Sequence, residues 1–234
     1  MTGSFNRFII YFSLILIHEL GHFLAAYICG WNIDVICFYP YGGYSKFNED
    51  INRPLKEELL ILISGPIVQI IYYLIIINFI NINDIELLKI YHFSILFFNL
   101  LPIYPLDGGR LLNILLSYFF SYKNSYLLTI YISFIVIILI ILGSYFYSYN
   151  LSFNLYLMIS LIFVKLIDAY KKRGYYYNKF KLERWLKNYR FNKLKIINNV
   201  DKMMRDKRHL IRFRNNYVTE RELLNGYFIK NKYN

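Results

Sequence analysis

Leu14-Ile15-Leu16-Ile17-His18-Glu19-Leu20-Gly21-His22-Phe23-Leu24 sets two histidines and a glutamate inside an apolar run. The run, Phe8 to Ile28, is about 21 residues and roughly 30 Å long as a helix, enough to span a bilayer. His18 falls near its middle, where a charge costs several kcal/mol unless it is paired or functional. Four residues apart on a helix, His18 and His22 project from one face and can share a metal ion. Glu19 is then the natural base for a water on that metal. The competing reading is a buried helix with satisfied histidines, and depth in the apolar run counts against it.

Composition agrees with a membrane setting. The 234 residues are 57% hydrophobic and 20% aromatic, and this balance marks a membrane protein rather than one soluble domain. The net charge of +12 is unevenly spread: residues 171–234 hold 19 Lys/Arg against 5 Asp/Glu, and residues 1–170 hold 8 against 10. By the positive-inside rule the basic tail is cytoplasmic. A basic segment beside anionic lipid accounts for that charge, so nucleic acid is not expected as a partner. Cys29 and Cys37 form neither a disulfide framework nor a CxxC pair.

Gly30 and Trp31 close the first helix. Val35 to Tyr39 is β-prone, Pro40 and Gly42-Gly43 supply turn chemistry, and Tyr44 to Phe47 returns as a strand, which predicts a short membrane-associated hairpin. Pro54 opens a second helix, with Glu57 and Glu58 suiting its dipole and Leu59 to Ile80 spanning the membrane. Ser64-Gly65-Pro66 inside it reads as a packing and kink feature. Ile90 to Phe120 is apolar but is interrupted by Asn99-Leu100-Leu101-Pro102-Ile103-Tyr104-Pro105-Leu106-Asp107-Gly108-Gly109-Arg110. Such a break is tolerated at membrane depth only when buried in protein or lining a wet cavity. Two more apolar runs follow, about Tyr126 to Tyr147 and Leu151 to Ala169. Phe180 to Lys195 reads as an interfacial helix. Residues 196–229 read as a small α+β unit, with a helix starting at Val200 and a strand at Leu210 to Phe213.

A catalytic zinc needs three protein ligands and an open position. Asp107, the acidic residue set in the Gly/Pro break, leads as third ligand over Asp34, His92 and His209. Asn99 supplies a neutral amide to the substrate backbone or to a developing oxyanion. Arg110 reads as a helix anchor.

HELGH at 18–22 joined to NLLPIYPLDGG at 99–109 resembles the site-2 protease family of intramembrane metalloproteases. Asn99, Pro102, Asp107 and Gly108 match the family's N-x-x-P-x-x-x-x-D-G in register. The similarity is closest to the sporulation branch, the stage IV sporulation protein FB type, which processes the precursor of the mother-cell sigma factor K. It covers residues 8–175. Asn52 to Glu58 and Leu96 to Pro102 carry the likeness to the branch. The resemblance implies one zinc per chain on His18, His22 and Asp107, with Glu19 as catalytic base. It implies that Asn99, Pro102 and the Tyr39–Phe47 loop with Tyr44 hold an extended substrate segment. Members of this branch carry another helix before HExxH, so an upstream helix is expected to be lost or to lie ahead of Met1. They also end in a CBS-type domain that can sense adenine nucleotides, and residues 196–229 resemble at most a reduced version.

The expectation is an all-α polytopic membrane protein with about five transmembrane helices, six with an upstream helix, plus the hairpin and a small cytoplasmic α+β tail. Residues 1–170 form the transmembrane metalloprotease domain and residues 171–234 the basic tail, placed in a bacterial cell membrane. The substrate is a membrane-associated protein, first of all a sigma-factor precursor, with an anti-sigma factor or signal-peptide remnant as alternatives. The lipid bilayer and inhibitory membrane proteins are its further partners. A non-catalytic membrane chaperone or regulator and a metal transporter are the competing classes, and the intact His18/Glu19/His22/Asp107 set argues against both.

Overall fold

The computed structural model describes residues 2–39, 42–47, 50–79, 85–146, 153–191, 193–213 and 216–230. The side chains of 2–4, 33–39, 42–47, 79, 153–154, 213 and 230 lie outside that description. The chain divides into two compact units, and its path passes between them more than once.

The first unit holds residues 1–49, 56–101 and 106–108. Helix α1 (Thr2–Ile28) carries the HExxH motif. It stops where Gly30 takes a positive φ of 66°. There Trp31 N donates to Ala26 O (2.9 Å) and Gly30 N to Tyr27 O (3.0 Å), the paired closing bonds of a glycine-terminated helix. Strands β1 (Ile33–Tyr39) and β2 (Gly42–Phe47) pair antiparallel, Cys37 opposite Tyr44, with a register irregularity between Ile33 and Val35. The hairpin expected from the two β-prone stretches and the turn residues between them is therefore present.

Helix α2 (Leu55–Phe79) begins with Glu57 and Glu58 in its first turn, favourable beside the positive end of the helix dipole. Helix α3 (Ile85–Leu100) follows. Leu14 and Ile15 of α1, Ile76 of α2, and Leu88 and Ile95 of α3 share one buried cluster. A second cluster at the other end of α1 joins Ala25, Ala26 and Ile61, with Trp31 against it. Trp31 Nε1 also donates to Glu57 Oε2 at 3.0 Å. The two clusters clamp α1 above and below the histidines.

The second unit holds residues 50–55, 102–105 and 109–234. Helix α4 (Asp107–Phe119) follows the break, and α5 (Tyr122–Phe146) packs on α6 (Phe153–Lys171) through Phe134 and Phe163, ring centroids 5.7 Å apart. Small polar residues line one side of α5. Ser133 Oγ accepts from Tyr104 N (2.9 Å) and Thr129 Oγ1 accepts from Asn113 Nδ2 (3.0 Å). The broken backbone at 102–105 is thus held by a hydroxyl, as buried polar backbone requires.

The tail comprises α7 (Arg173–Leu186), β3 (Leu194–Ile197), β4 (Arg208–Phe213), β5 (Asn216–Thr219) and α8 (Glu220–Lys230). The three strands lie in the order β3-β4-β5, the first pair parallel and the second antiparallel. The strand expected at Leu210 to Phe213 lies within β4, and the helix expected at Val200 is a short 3-10 turn, Val200–Lys202. The interfacial helix expected at Phe180 to Lys195 is corrected: α7 ends at Leu186, and fully buried Phe180 packs with Tyr122, Ile197, Met203, Ile211 and Leu224. An aromatic among basic residues serves a core as well as a lipid surface, and here the sheet supplies the core.

Three helical segments among the described residues are long and apolar enough to cross a membrane: Phe5–Ile28, Leu55–Asn78 and Tyr122–Phe146. The break explains why the Ile90 to Phe120 region adds none. It leaves α3 with 16 residues, about 24 Å, against a hydrocarbon core of about 30 Å.

Candidate metal centre

Three side chains from two helices meet in the first unit. His18 Nε2 and His22 Nε2 each lie 3.0 Å from Asp107 Oδ2, and 3.1 Å from each other. Both histidines are buried and Asp107 is partly buried. The i, i+4 spacing on α1 stacks the imidazoles one turn apart, and Asp107 is the first residue of α4. Among the described residues this is the group of His, Cys, Asp and Glu able to hold a metal.

The second nitrogen of each ring decides what the cluster can do. His18 Nδ1 is 2.9 Å from Gln69 Oε1, and His22 Nδ1 is 2.8 Å from the carbonyl oxygen of Ile61. Both of these oxygens only accept, so each Nδ1 carries the proton and each neutral ring turns its Nε2 lone pair inward. With both rings neutral, two nitrogen lone pairs and a carboxylate oxygen converge with no proton among them. That arrangement is repulsive until a cation occupies its centre, and two imidazoles with one carboxylate form a donor set suited to zinc. The residues present fit the metal.

The glycines beside the centre make room for it. A Cβ on Gly65 of α2 would run into the His22 imidazole, and one on Gly21 would lie 2.7 Å from Ser64 O and 2.9 Å from Gly65 Cα. Helices α1 and α2 therefore cross at glycine on glycine, and Ser64 Oγ ties the crossing by donating to Gly21 O at 2.9 Å. The sequence reading of Ser64-Gly65-Pro66 as packing alone missed that Gly65 is the floor under a candidate ligand. A Cβ on Gly108 would strike the carbonyls of Leu100 and Leu101. The residue after Asp107 thus has no room for a side chain where α4 starts against the end of α3.

Of the other residues singled out from sequence, Glu19 is buried on α1 between the two histidines. Asn99 is brought to the cluster, its Nδ2 3.4 Å from His18 Nε2. Pro102 sits in the non-helical break three residues further on. Tyr44 has its backbone in β2, but its side chain, like that of Asp34, lies outside the described residues. Arg110 lies in the first turns of α4. Neither remaining histidine joins the cluster. His92 is buried and stacked on Tyr73, ring centroids 4.0 Å apart. His209 sits in the tail between Met204 N, which donates to its Nε2, and Glu220, which accepts from its Nδ1. Gln69 was missed, although a carboxamide in the middle of the apolar run Leu59 to Ile80 is the kind of polar residue that needs a reason at that depth.

A buried centre with three converging donors, a neighbouring carboxylate and a broken helix supplying the third donor has the construction of a metallopeptidase set among apolar helices. Known proteins agree. Residues 7–84 match Peptidase family M50. The chain is 32% identical over 200 residues to Stage IV sporulation protein FB of Bacillus subtilis, covering 83% of this chain and 69% of that protein. It is 39% identical over 128 residues to a zinc metalloprotease of Methanocaldococcus jannaschii, covering 50% of this chain and 36% of that one. The fold is similar to the solved site-2 protease from M. jannaschii, with a TM-score of 0.53 and 28% identity, over 71% of this chain and 76% of that chain. The chain belongs to peptidase family M50, the site-2 proteases. It is a zinc-dependent intramembrane metalloendopeptidase and an integral membrane protein, and proteases of this family act on membrane-associated proteins.

Proposed function

We propose that the chain holds one zinc ion on His18, His22 and Asp107, uses Glu19 as general base, and cuts a sigma-factor precursor of the sporulation type within or near the bilayer. The observation that carries this reading is the convergence of two Nε2 lone pairs and Asp107 Oδ2 within 3.1 Å of one another. Zinc in such a position lowers the pKa of water toward 7 and polarises a peptide carbonyl. Glu19 accepts the proton of the attacking water and passes it to the leaving amine. The Asn99 amide donates to the substrate backbone or to the oxygen that gains charge, an interaction strengthened where bulk water is excluded. Pro102 and Tyr44 help to hold the segment extended. Gln69 and Ile61 keep both imidazoles turned inward.

The substrate assignment rests on the similarity to Stage IV sporulation protein FB, which the chain covers over 69% of its length. An anti-sigma factor or a signal-peptide remnant fits the same chemistry and is the second choice. A non-catalytic chaperone or regulator would have no need of both the ligand set and Glu19. In this reading residues 1–170 form the protease domain with about five membrane crossings, the shorter α3–α4 region and α6 included. Residues 171–234 are a cytoplasmic tail, a reduced CBS-like domain whose basic surface faces anionic lipid, and inhibitory membrane proteins gate access to the site.

Co-expression with a sigma-factor precursor tests the proposal. The wild type is expected to release a shortened product and Glu19→Gln to release none. Equal processing by Glu19→Gln would sink the mechanism. An uncut precursor beside a cut anti-sigma factor would move the substrate to the second choice.

A further inference from the structure

Gln69 has no solvent-exposed surface and lies at mid-helix in α2. Burying a carboxamide in an apolar helix is unfavourable unless its hydrogen-bonding groups are engaged, and Gln69 engages both ends. Its Oε1 is 2.9 Å from His18 Nδ1, and its Nε2 donates to the carbonyl oxygen of His92 at 3.3 Å. The backbone oxygen can only accept, so the amide nitrogen must face α3 and Oε1 must face His18. Stacking of His92 on Tyr73, with the ring planes 6° apart, holds that stretch of α3 against α2. Two turns further along α3, Asn99 reaches His18 from the opposite side, 3.4 Å from Nε2. Helix α3 thus carries both the carbonyl that latches Gln69 and the amide that approaches the metal-facing edge of His18.

We infer that Gln69 is a positioning residue for the metal centre: latched by the His92 carbonyl, it fixes the tautomer and rotation of His18 so that Nε2 is the metal-binding atom. The inference rests on the proposed zinc site. Partners in this position govern ligand orientation, and losing one lowers metal affinity about 10–100-fold. A carboxamide, unlike a carboxylate, orients the ring without adding negative charge, so the metal keeps more of its power to polarise a carbonyl.

Zinc affinity of the purified full-length chain in detergent, measured by chelator competition, tests this with a readout separate from cleavage. Gln69→Met keeps the volume and removes the acceptor, and its affinity is expected to fall about 10–100-fold. Gln69→Glu keeps an acceptor for His18 and, when protonated, a donor for the His92 carbonyl, and its affinity is expected to recover toward wild type. Wild-type affinity in Gln69→Met would overturn the inference, as would a Gln69→Glu no better than Gln69→Met. Should Gln69→Met not fold, the Co(II) spectrum of Gln69→Glu decides: a shifted ligand-field band supports contact through His18, and a band identical to wild type overturns it. His18→Ala separates the two readings. If that variant binds zinc as wild type does, it is the metal-site assignment that fails and the role of Gln69 falls with it, whereas zinc loss in His18→Ala beside wild-type affinity in Gln69→Met overturns the inference alone.

Discussion

Two buried polar networks in this chain look alike in composition and differ in bookkeeping. At the candidate metal centre, Asp107 and the neutral rings of His18 and His22 bring acceptors together with no donor among the three. In the tail, the Arg184 guanidinium is equally buried, but every direction it points meets an acceptor. Nε donates to Asn52 Oδ1 (2.5 Å), Nη2 to the carbonyls of Met204 (2.7 Å) and Arg205 (2.6 Å), and Nη1 to Lys207 O (2.9 Å) and Glu220 (3.3 Å). Asn52 in turn donates to Phe180 O and to Glu183. Every donor of the guanidinium is matched, whereas the candidate metal centre is open by one cation. A closed network holds a fold together, whereas an open one describes a ligand.

Removing Arg184 should give the largest effect on stability. Burial lowers its pKa, to about 10, which still leaves it charged at neutral pH. Arg184→Met strands Asn52 Oδ1 and three carbonyls and leaves Glu220 to His209 alone, and losing one partner of a buried pair costs about 3–5 kcal/mol. Urea unfolding followed by Trp185 fluorescence in a Trp31→Phe background should show that loss, with zinc affinity unchanged. A parallel loss of zinc binding would mean that the two networks are not separable.

Gly65→Ala sharpens the contrast from the other side. Its methyl group would occupy the space of the His22 ring, and overpacking of this kind costs about 1–3 kcal/mol. The expected result is weakened zinc binding with the tail's unfolding transition unmoved. Unaltered zinc affinity would show that the ring has room to move.

Among the effects on stability, acid acting on the tail's carboxylates should produce the smallest. Burial opposes ionisation of Glu220, but the hydrogen bond from His209 and the charge of Arg184 hold its pKa below the ordinary carboxylate range. The hydrogen bonds of Lys123 and Tyr177 do the same for Asp201. A carboxylate with a folded-state pKa below its unfolded value stabilises above the unfolded pKa, about 4.3 for Glu. That stability is lost as pH falls through the folded value. Trp185 fluorescence should therefore hold steady from neutral pH to about 5 and report loosening only below about 4. Loosening on the alkaline side would contradict the assignment.

The open network was the legible one. His18, Glu19 and His22 show themselves by helical spacing within an apolar run, and Asp107 by the prolines and glycines around it, because both are local departures from what lipid tolerates. The hairpin was legible too, since Pro40 and Gly42-Gly43 punctuate two β-prone stretches. What escaped was long-range. The contact of Gly65 with His22 spans 43 residues, and that of Arg184 with Asn52 spans 132. No periodicity encodes either. Phe180 carried an ambiguous signal, since aromatic-basic alternation suits an interface and a small core alike, and only the β3-β4-β5 sheet decides between them.

X-ray absorption at the zinc edge of the purified, zinc-loaded chain tests the central claim most directly. The account predicts a nitrogen/oxygen shell at about 2.0–2.1 Å containing two imidazoles, intact in Glu19→Gln and absent in Asp107→Ala. A shell with sulfur at about 2.3 Å, or the same spectrum from Asp107→Ala as from wild type, would contradict it.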